Sequence, residues 1–204
     1  MSSYENGVYY TKLVTTGNDG ISYEDTFWDD IRFPANAVRV GAARPATEET
    51  YRGGIVLAFD SAADNSIYFN CQLPHAYKIG TDLDAHIHVV LPTSGAGAGV
   101  ENVKFDFTYS WCSIGGSFPA ESTISVTRDV QNDSADDHIL IDIGNIPYSA
   151  ATLNGGNGGV SMMLICSLTR DTTVANNYAD DVYLVEADFH YQIDAPGSRD
   201  EYVK

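Results

Sequence analysis

The segment DAHIHVVLP, residues 84–92, places two of the chain's 5 histidines, His86 and His88, two residues apart. In a strand, that spacing turns both imidazoles to one face, with Val90 following them, while Ile87, Val89 and Leu91 turn to the other. Two imidazoles on one strand face are part of a metal site, which needs at least a third ligand. His75, in LPHAYK, and Asp84 are the candidates nearby in sequence. The other reading is that the imidazoles hydrogen-bond neighbouring strands or line a subunit contact. A pair without an evident third ligand completes no coordination set, so the sequence assigns no metal and no cofactor. It places His75, His86 and His88 at a subunit interface, which would then respond to pH between about 5 and 7.

Other reactive patterns are sparse. The chain has no G-x-S-x-G, no H-E-x-x-H, no Walker loop and no G-x-G-x-x-G opening a helix. Carboxylates are abundant, which leaves a paired-carboxylate glycosidase open on residue type alone. Most of the acids, however, fall in turns such as DSAADN and NDSADD, where Asp has its own turn chemistry. Those turns offer oxygen ligands for calcium but lack EF-hand spacing. The 13 tyrosines and 2 tryptophans offer either a sugar-stacking platform or, more commonly in strands, core. The loops IGGSFP and NGGNGG lack the following helix that a phosphate cradle requires. The 3 cysteines, Cys71, Cys112 and Cys166, each sit in an apolar run and outside any C-x-x-C pair, so they read as reduced core side chains. The expectation is a protein that is not an enzyme, with no catalytic residue.

The elements that must position these residues have a period of two. GGIVLAFD, SIYFNCQL, HIHVVLP, NVKFDFTYSW, STISVTRDV, DHILIDIG, VSMMLICSLTRD and DVYLVEADFHYQID all read as strands, bounded by clusters of Gly, Pro, Asn and Asp. In NVKFDFTYSW, Val103, Phe105, Phe107, Tyr109 and Trp111 share a face. In the last strand, Tyr183, Val185, Ala187, Phe189 and Tyr191 form one face and Leu184, Glu186, Asp188, His190 and Gln192 the other. No segment has a convincing helical period. About eight strands at this spacing predict an all-β fold, an antiparallel β-sandwich that is jelly-roll-like. Residues 1–35 read as an extended N-terminal arm or first strand, and 36–204 as the sandwich domain. Arg44-Pro45 imposes extended or turn geometry within GAARPATEETY.

At 204 residues the chain is long enough for a substantial core, and its net charge of -17 repels nucleic acid and anionic membrane, so neither is expected as a partner. The N-terminus MSSYENGVYYTK has no basic region followed by an apolar one, which predicts synthesis in a cytoplasm. The arm carries Tyr4, Tyr9, Tyr10, Tyr23, Phe27, Trp28 and Phe33. Solvated tails are poor in aromatics, so Tyr9, Tyr10 and Trp28 join the histidines as interface residues.

DDIRFP (29–34), LPHAYKIGTDLDAHIHVV (73–90), YSWCSIGGSFP (109–119) and VEADFHYQIDAPGSRDEYVK (185–204) together resemble a family of small β-rich virion proteins of tailed bacteriophages, over nearly the whole chain after residue 28. That resemblance implies a structural protein of the phage particle with no chemistry and no catalytic residues to carry over. The expected molecule is a virion component, a self-associating sandwich, most simply a homotrimer, that decorates or cements the capsid beside proteins such as the major capsid protein. The alternative is a head or tail fibre, or a receptor-binding carbohydrate module.

Overall fold

The structure, a computed structural model, describes residues 27–97, 99–153, 159–198 and 201 throughout, and four earlier strand segments by their backbone. Of those segments, β1 (Ser3–Glu5) pairs with β2 (Val8–Tyr10) and β3 (Leu13–Thr15) with β4 (Ile21–Tyr23), giving two separate two-stranded sheets. Tyr9 and Tyr10 therefore stand in β2, opposite Tyr4 and Ser3. Their side chains lie outside the described residues. Within VYYTKLVTT, the described residues Val8–Tyr10 and Leu13–Thr15 pair in these small sheets and in neither sheet of the sandwich.

The sandwich is built from β5 (Phe27–Pro34), β6 (Arg39–Val40), β7 (Thr47–Tyr51), β8 (Gly54–Phe59), β9 (Ser66–Gln72), β10 (Leu83–Val90), β11 (Asn102–Cys112), β12 (Ser122–Asp129), β13 (His138–Ile146), β14 (Met163–Arg170) and β15 (Val182–Ile193). One sheet runs β13-β10-β15-β8-β7, with β5 also paired to β15. The other runs β12-β11-β14-β9-β6. All these ladders are antiparallel. The fold is thus an all-β, jelly-roll-like antiparallel β-sandwich, as the sequence predicts, and β8 to β15 are the eight strands read from it.

Two stretches left open by the sequence are placed by strand pairing. Phe27–Pro34, within the segment read as arm or first strand, is a strand of the sandwich, all eight of its residues pairing with β15. TEETY, within the stretch read as extended or turn, is an edge strand on β8. Its side chains are nearly all exposed, so it has no apolar face to announce it.

The core lies between the sheets. Val103, Phe105, Phe107, Tyr109 and Trp111 of β11 are all buried, as their alternation predicts. Phe189 of β15 meets Phe107 and Phe69 at 6.0 Å between ring centroids and Phe33 at 5.6 Å, which joins the two layers. The alternation read for β15 holds from Ala187 onward but inverts before Val185. Leu184 is in the core and Val185 is exposed. A register shift there sets one extra β15 residue against β10, and such a bulge reverses every face beyond it. Cys71, Cys112 and Cys166 are free and buried. Burial pushes the Cys71 thiol up to about 12 and the Cys166 thiol well above its usual value, which suits packing rather than reactivity.

At one end of the sandwich, Arg170 closes β14 with its guanidinium fully enclosed. It donates to the carbonyls of Phe59, Asp180 and Tyr178. The neighbouring Asp171 accepts from Lys104 at 2.5 Å. That bond, with further ones from Thr173, holds its carboxyl at about 2, against an ordinary 3.8. A depressed carboxylate stabilises the fold above its unfolded pKa and loses that contribution as it is protonated. The melting-temperature advantage of the wild type over Asp171→Asn should therefore be complete above pH about 4 and shrink towards pH 2. An advantage unchanged across that window would contradict the assignment.

Candidate functional site

The outer face of the six-stranded sheet is set by strand pairing. β10 lies between β13 and β15, with His86 opposite Asp188 and Asp142, His88 opposite Glu186 and Leu140, and Asp84 opposite His190. β5 adds the next row, with Arg32 opposite Asp188, Asp30 opposite His190 and Trp28 opposite Gln192. Ile31 and Phe33 pack inward, so Trp28, Asp30 and Arg32 face out with the imidazoles. Two bulges bracket the histidine pair. One lies on the β13 side between Ala85 and His86, where Gly144 takes φ +110, and the other on the β15 side after His88. Each bends its strand locally and re-aims side chains, a common feature beside functional sites.

The result is a cluster of four imidazoles, three of them around one carboxylate and the fourth, His138, against His88. His86 and His190 lie 4.2 Å apart between ring centroids, His86 and His88 5.1 Å, and His88 and His138 4.9 Å. Nε2 of His86 is 2.8 Å from Oδ1 of Asp188, and their side chains are only 6% and 5% exposed. Nε2 of His88 is 3.6 Å from Oδ2 of the same carboxylate. Despite the short approach, no hydrogen bond of acceptable geometry reaches Asp188 Oδ1. Burial drives the Asp188 carboxyl above its ordinary range and the His86 imidazole below its own, so each resists carrying charge alone. Nearby charges are spoken for. Arg32 donates from Nε and Nη2 to the two oxygens of Glu186 at 2.7 and 2.9 Å. His190 pairs with Asp30 at 3.1 Å.

The structure thus brings together His86 and His88 and places the exposed Trp28 on the same face. It does not bring in His75, whose Nε2 meets Ser161 and whose Nδ1 meets Ser198. Neither His75 nor Asp84 is the third group beside the histidine pair; Asp188 is. Sequence reasoning put Asp188 and His190 on the outward face of the last strand. The pairing of β15 with β10, which joins residues about a hundred positions apart, was not legible there.

The outer face of the five-stranded sheet carries a second feature. Tyr68, Thr108, Ser110, Ile165 and Ser167 line a shallow groove of about 300 Å³, closed by Phe118, Pro119 and Glu121 from the β11–β12 connection. Tyr68, Ile165 and Phe118 are 50%, 48% and 47% exposed, so three large apolar side chains face water there.

No protein-family model and no curated protein matches the chain. Among solved structures, the VP2 subviral particle protein of infectious bursal disease virus aligns over 98% of this chain at 12% identity and TM-score 0.39. The chain spans 41% of that protein's length. A family 11 carbohydrate-binding module from Clostridium thermocellum aligns over 79% of this chain and 87% of its own at 11% identity and TM-score 0.31. A tailspike domain of bacteriophage CBA120 aligns over 81% of this chain and 19% of its own at 9% identity and TM-score 0.35. Scores this low do not bear on what this chain binds. The class that the fold defines is an all-β domain, an antiparallel β-sandwich of two sheets.

Proposed function

We propose that the chain is a structural protein of a bacteriophage particle, a self-associating sandwich that decorates or cements the capsid and performs no catalysis. The observation that carries this reading is the apolar groove around Tyr68, Ile165 and Phe118. Apolar side chains clustered in this way on a soluble domain mark a contact surface. The groove sits on a rigid sheet, which suits repeated docking against an identical neighbour or a capsid subunit. The resemblance of the four sequence stretches to tailed-phage virion proteins supports the same reading. The simplest assembly is a homotrimer.

Light scattering on the purified protein, together with electron microscopy of particles, tests it. Tyr68→Ser with Ile165→Ser is expected to leave the melting temperature within a few degrees of wild type while abolishing trimer formation and particle binding. A monomeric wild type that is absent from virions would overturn the proposal.

A second reading is a glycan-binding module. It rests on the same groove, where the Tyr68 and Phe118 rings lie beside the polar groups of Thr108, Ser110, Glu121 and Ser167. Aromatic faces with flanking hydroxyls and a carboxylate suit a sugar ring. A glycan array separates the two readings, since Tyr68→Ala would abolish glycan binding only under the second.

A further inference from the structure

We propose that His86, His88 and Asp188 bind one divalent transition-metal ion of the zinc class on the outer face of the six-stranded sheet. The site goes beyond the virion reading and does not depend on it. Three features converge on these residues.

The donor set is complete at short range. One ligand atom from each residue lies within 4.8 Å of the other two. Two donors bound at about 2.0–2.2 Å to a tetrahedral ion stand roughly 3.4 Å apart. The approaches here of 2.8 Å and 3.6 Å fall on either side of that figure. Two imidazoles and a carboxylate suit zinc, cobalt or nickel better than calcium or magnesium, which take mainly oxygen.

One oxygen of the buried carboxylate has no hydrogen-bond partner. Asp188 is 5% exposed, and its Oδ1 points at the imidazoles without a hydrogen bond of acceptable geometry. The nearby guanidinium of Arg32 is taken by Glu186. A cation held between Asp188 and the two imidazoles would satisfy that oxygen.

An outer partner orients one ligand. Nδ1 of His88 and Nε2 of His138 are 2.7 Å apart. With His88 donating, its Nε2 lone pair faces Asp188, which is the arrangement that second-sphere partners impose on metal-binding imidazoles. Asp30, Asp188 and His190 form an overlapping triplet. It is the poorer site, because Asp30 and His190 are 47% and 43% exposed and already paired with each other. Three protein ligands leave a fourth position for water or for a group from a neighbouring molecule.

The test uses the full chain without a polyhistidine tag, stripped with chelator and titrated with Zn2+ by calorimetry, with Co2+ as a spectroscopic probe. One equivalent of Zn2+ should bind in the micromolar range or tighter and raise the melting temperature. Co2+ should give the visible bands of a nitrogen- and oxygen-ligated low-coordinate ion. His88→Gln, at a partly exposed position where folding is preserved, should weaken Zn2+ binding at least tenfold and abolish the Co2+ bands. His138→Ala should weaken it about 10–100-fold. His75→Ala should change nothing. Failure of the wild type to bind a stoichiometric ion would overturn the proposal, as would His88→Gln and Asp188→Asn binding as tightly as wild type. Loss of particle binding in the groove variants would leave it standing.

Discussion

Arg170→Ala is expected to destabilise the fold by about 3–5 kcal/mol, comparable to breaking a buried ion pair from one side. The guanidinium is fully enclosed and holds three carbonyls that come from different parts of the chain: Phe59 at the end of β8, and Tyr178 and Asp180 in the connection before β15. Removing it leaves the carbonyls of Phe59 and Tyr178 buried and unsatisfied, each costing about 1–3 kcal/mol, and opens a cavity. Burial lowers the Arg170 pKa, while the carboxylates of Asp181, Asp60 and Asp180 oppose that effect, so its loss also strands negative charge. Arg170→Lys should rescue little, because a single ammonium cannot reproduce the planar fork. Denaturant unfolding measures both variants. A loss below about 1 kcal/mol for the alanine variant, less than a single stranded carbonyl costs, would mean that water or another donor replaces the guanidinium.

Phe189→Ala is the second large expected effect, again about 3–5 kcal/mol, which for a domain of this size lowers the melting temperature by roughly 6–20 °C. Phe189 is 1% exposed and packs against aromatic rings from β5, β9 and β11. The neighbouring strands are held in ladders and cannot collapse into the space left behind, which puts the cost at the upper end. Phe189→Leu should recover most of it. Since Asp188 is adjacent in sequence but faces the other way, Phe189→Leu should also leave the outer imidazole cluster intact, a separation that calorimetric Zn2+ binding can read. A melting temperature for Phe189→Ala within a few degrees of wild type would show that the layers are joined elsewhere.

The strands were legible wherever one face is apolar and the other polar. NVKFDFTYSW became β11 because Val103 through Trp111 alternate without a break. β7 was not legible, because an exposed edge such as TEETY has no buried face to produce a period. β15 was read correctly in extent but with one end inverted, because a bulge at Val185 leaves no compositional mark. The opposite bulge did leave one, in Gly144 within DHILIDIG, since a glycine inside a strand pattern signals such an irregularity. The H-x-H pair was legible as two imidazoles on one face. Its third partner was not, because which strand lies beside β10 follows from packing of the two layers and not from any local property of residues 84–92. Arg170 had a signal that went unused: it follows Leu164, Cys166 and Leu168 in inward phase, and a charge in that phase has to be held by something.

The exposed strand β7 has a consequence for behaviour at high concentration. A sheet edge is a template on which another copy can continue the ladder, the route to fibrils and amorphous precipitate. Here one edge presents Glu48 and Glu49 on a five-residue strand, and the corresponding edge of the other sheet is the two-residue β6. Paired glutamates, on a chain already at -17, make end-to-end ladder growth at that edge repulsive, and a two-residue strand offers almost nothing to extend. Many copies can then be crowded together without polymerising through those edges, leaving the broad outer faces to decide which neighbours they keep.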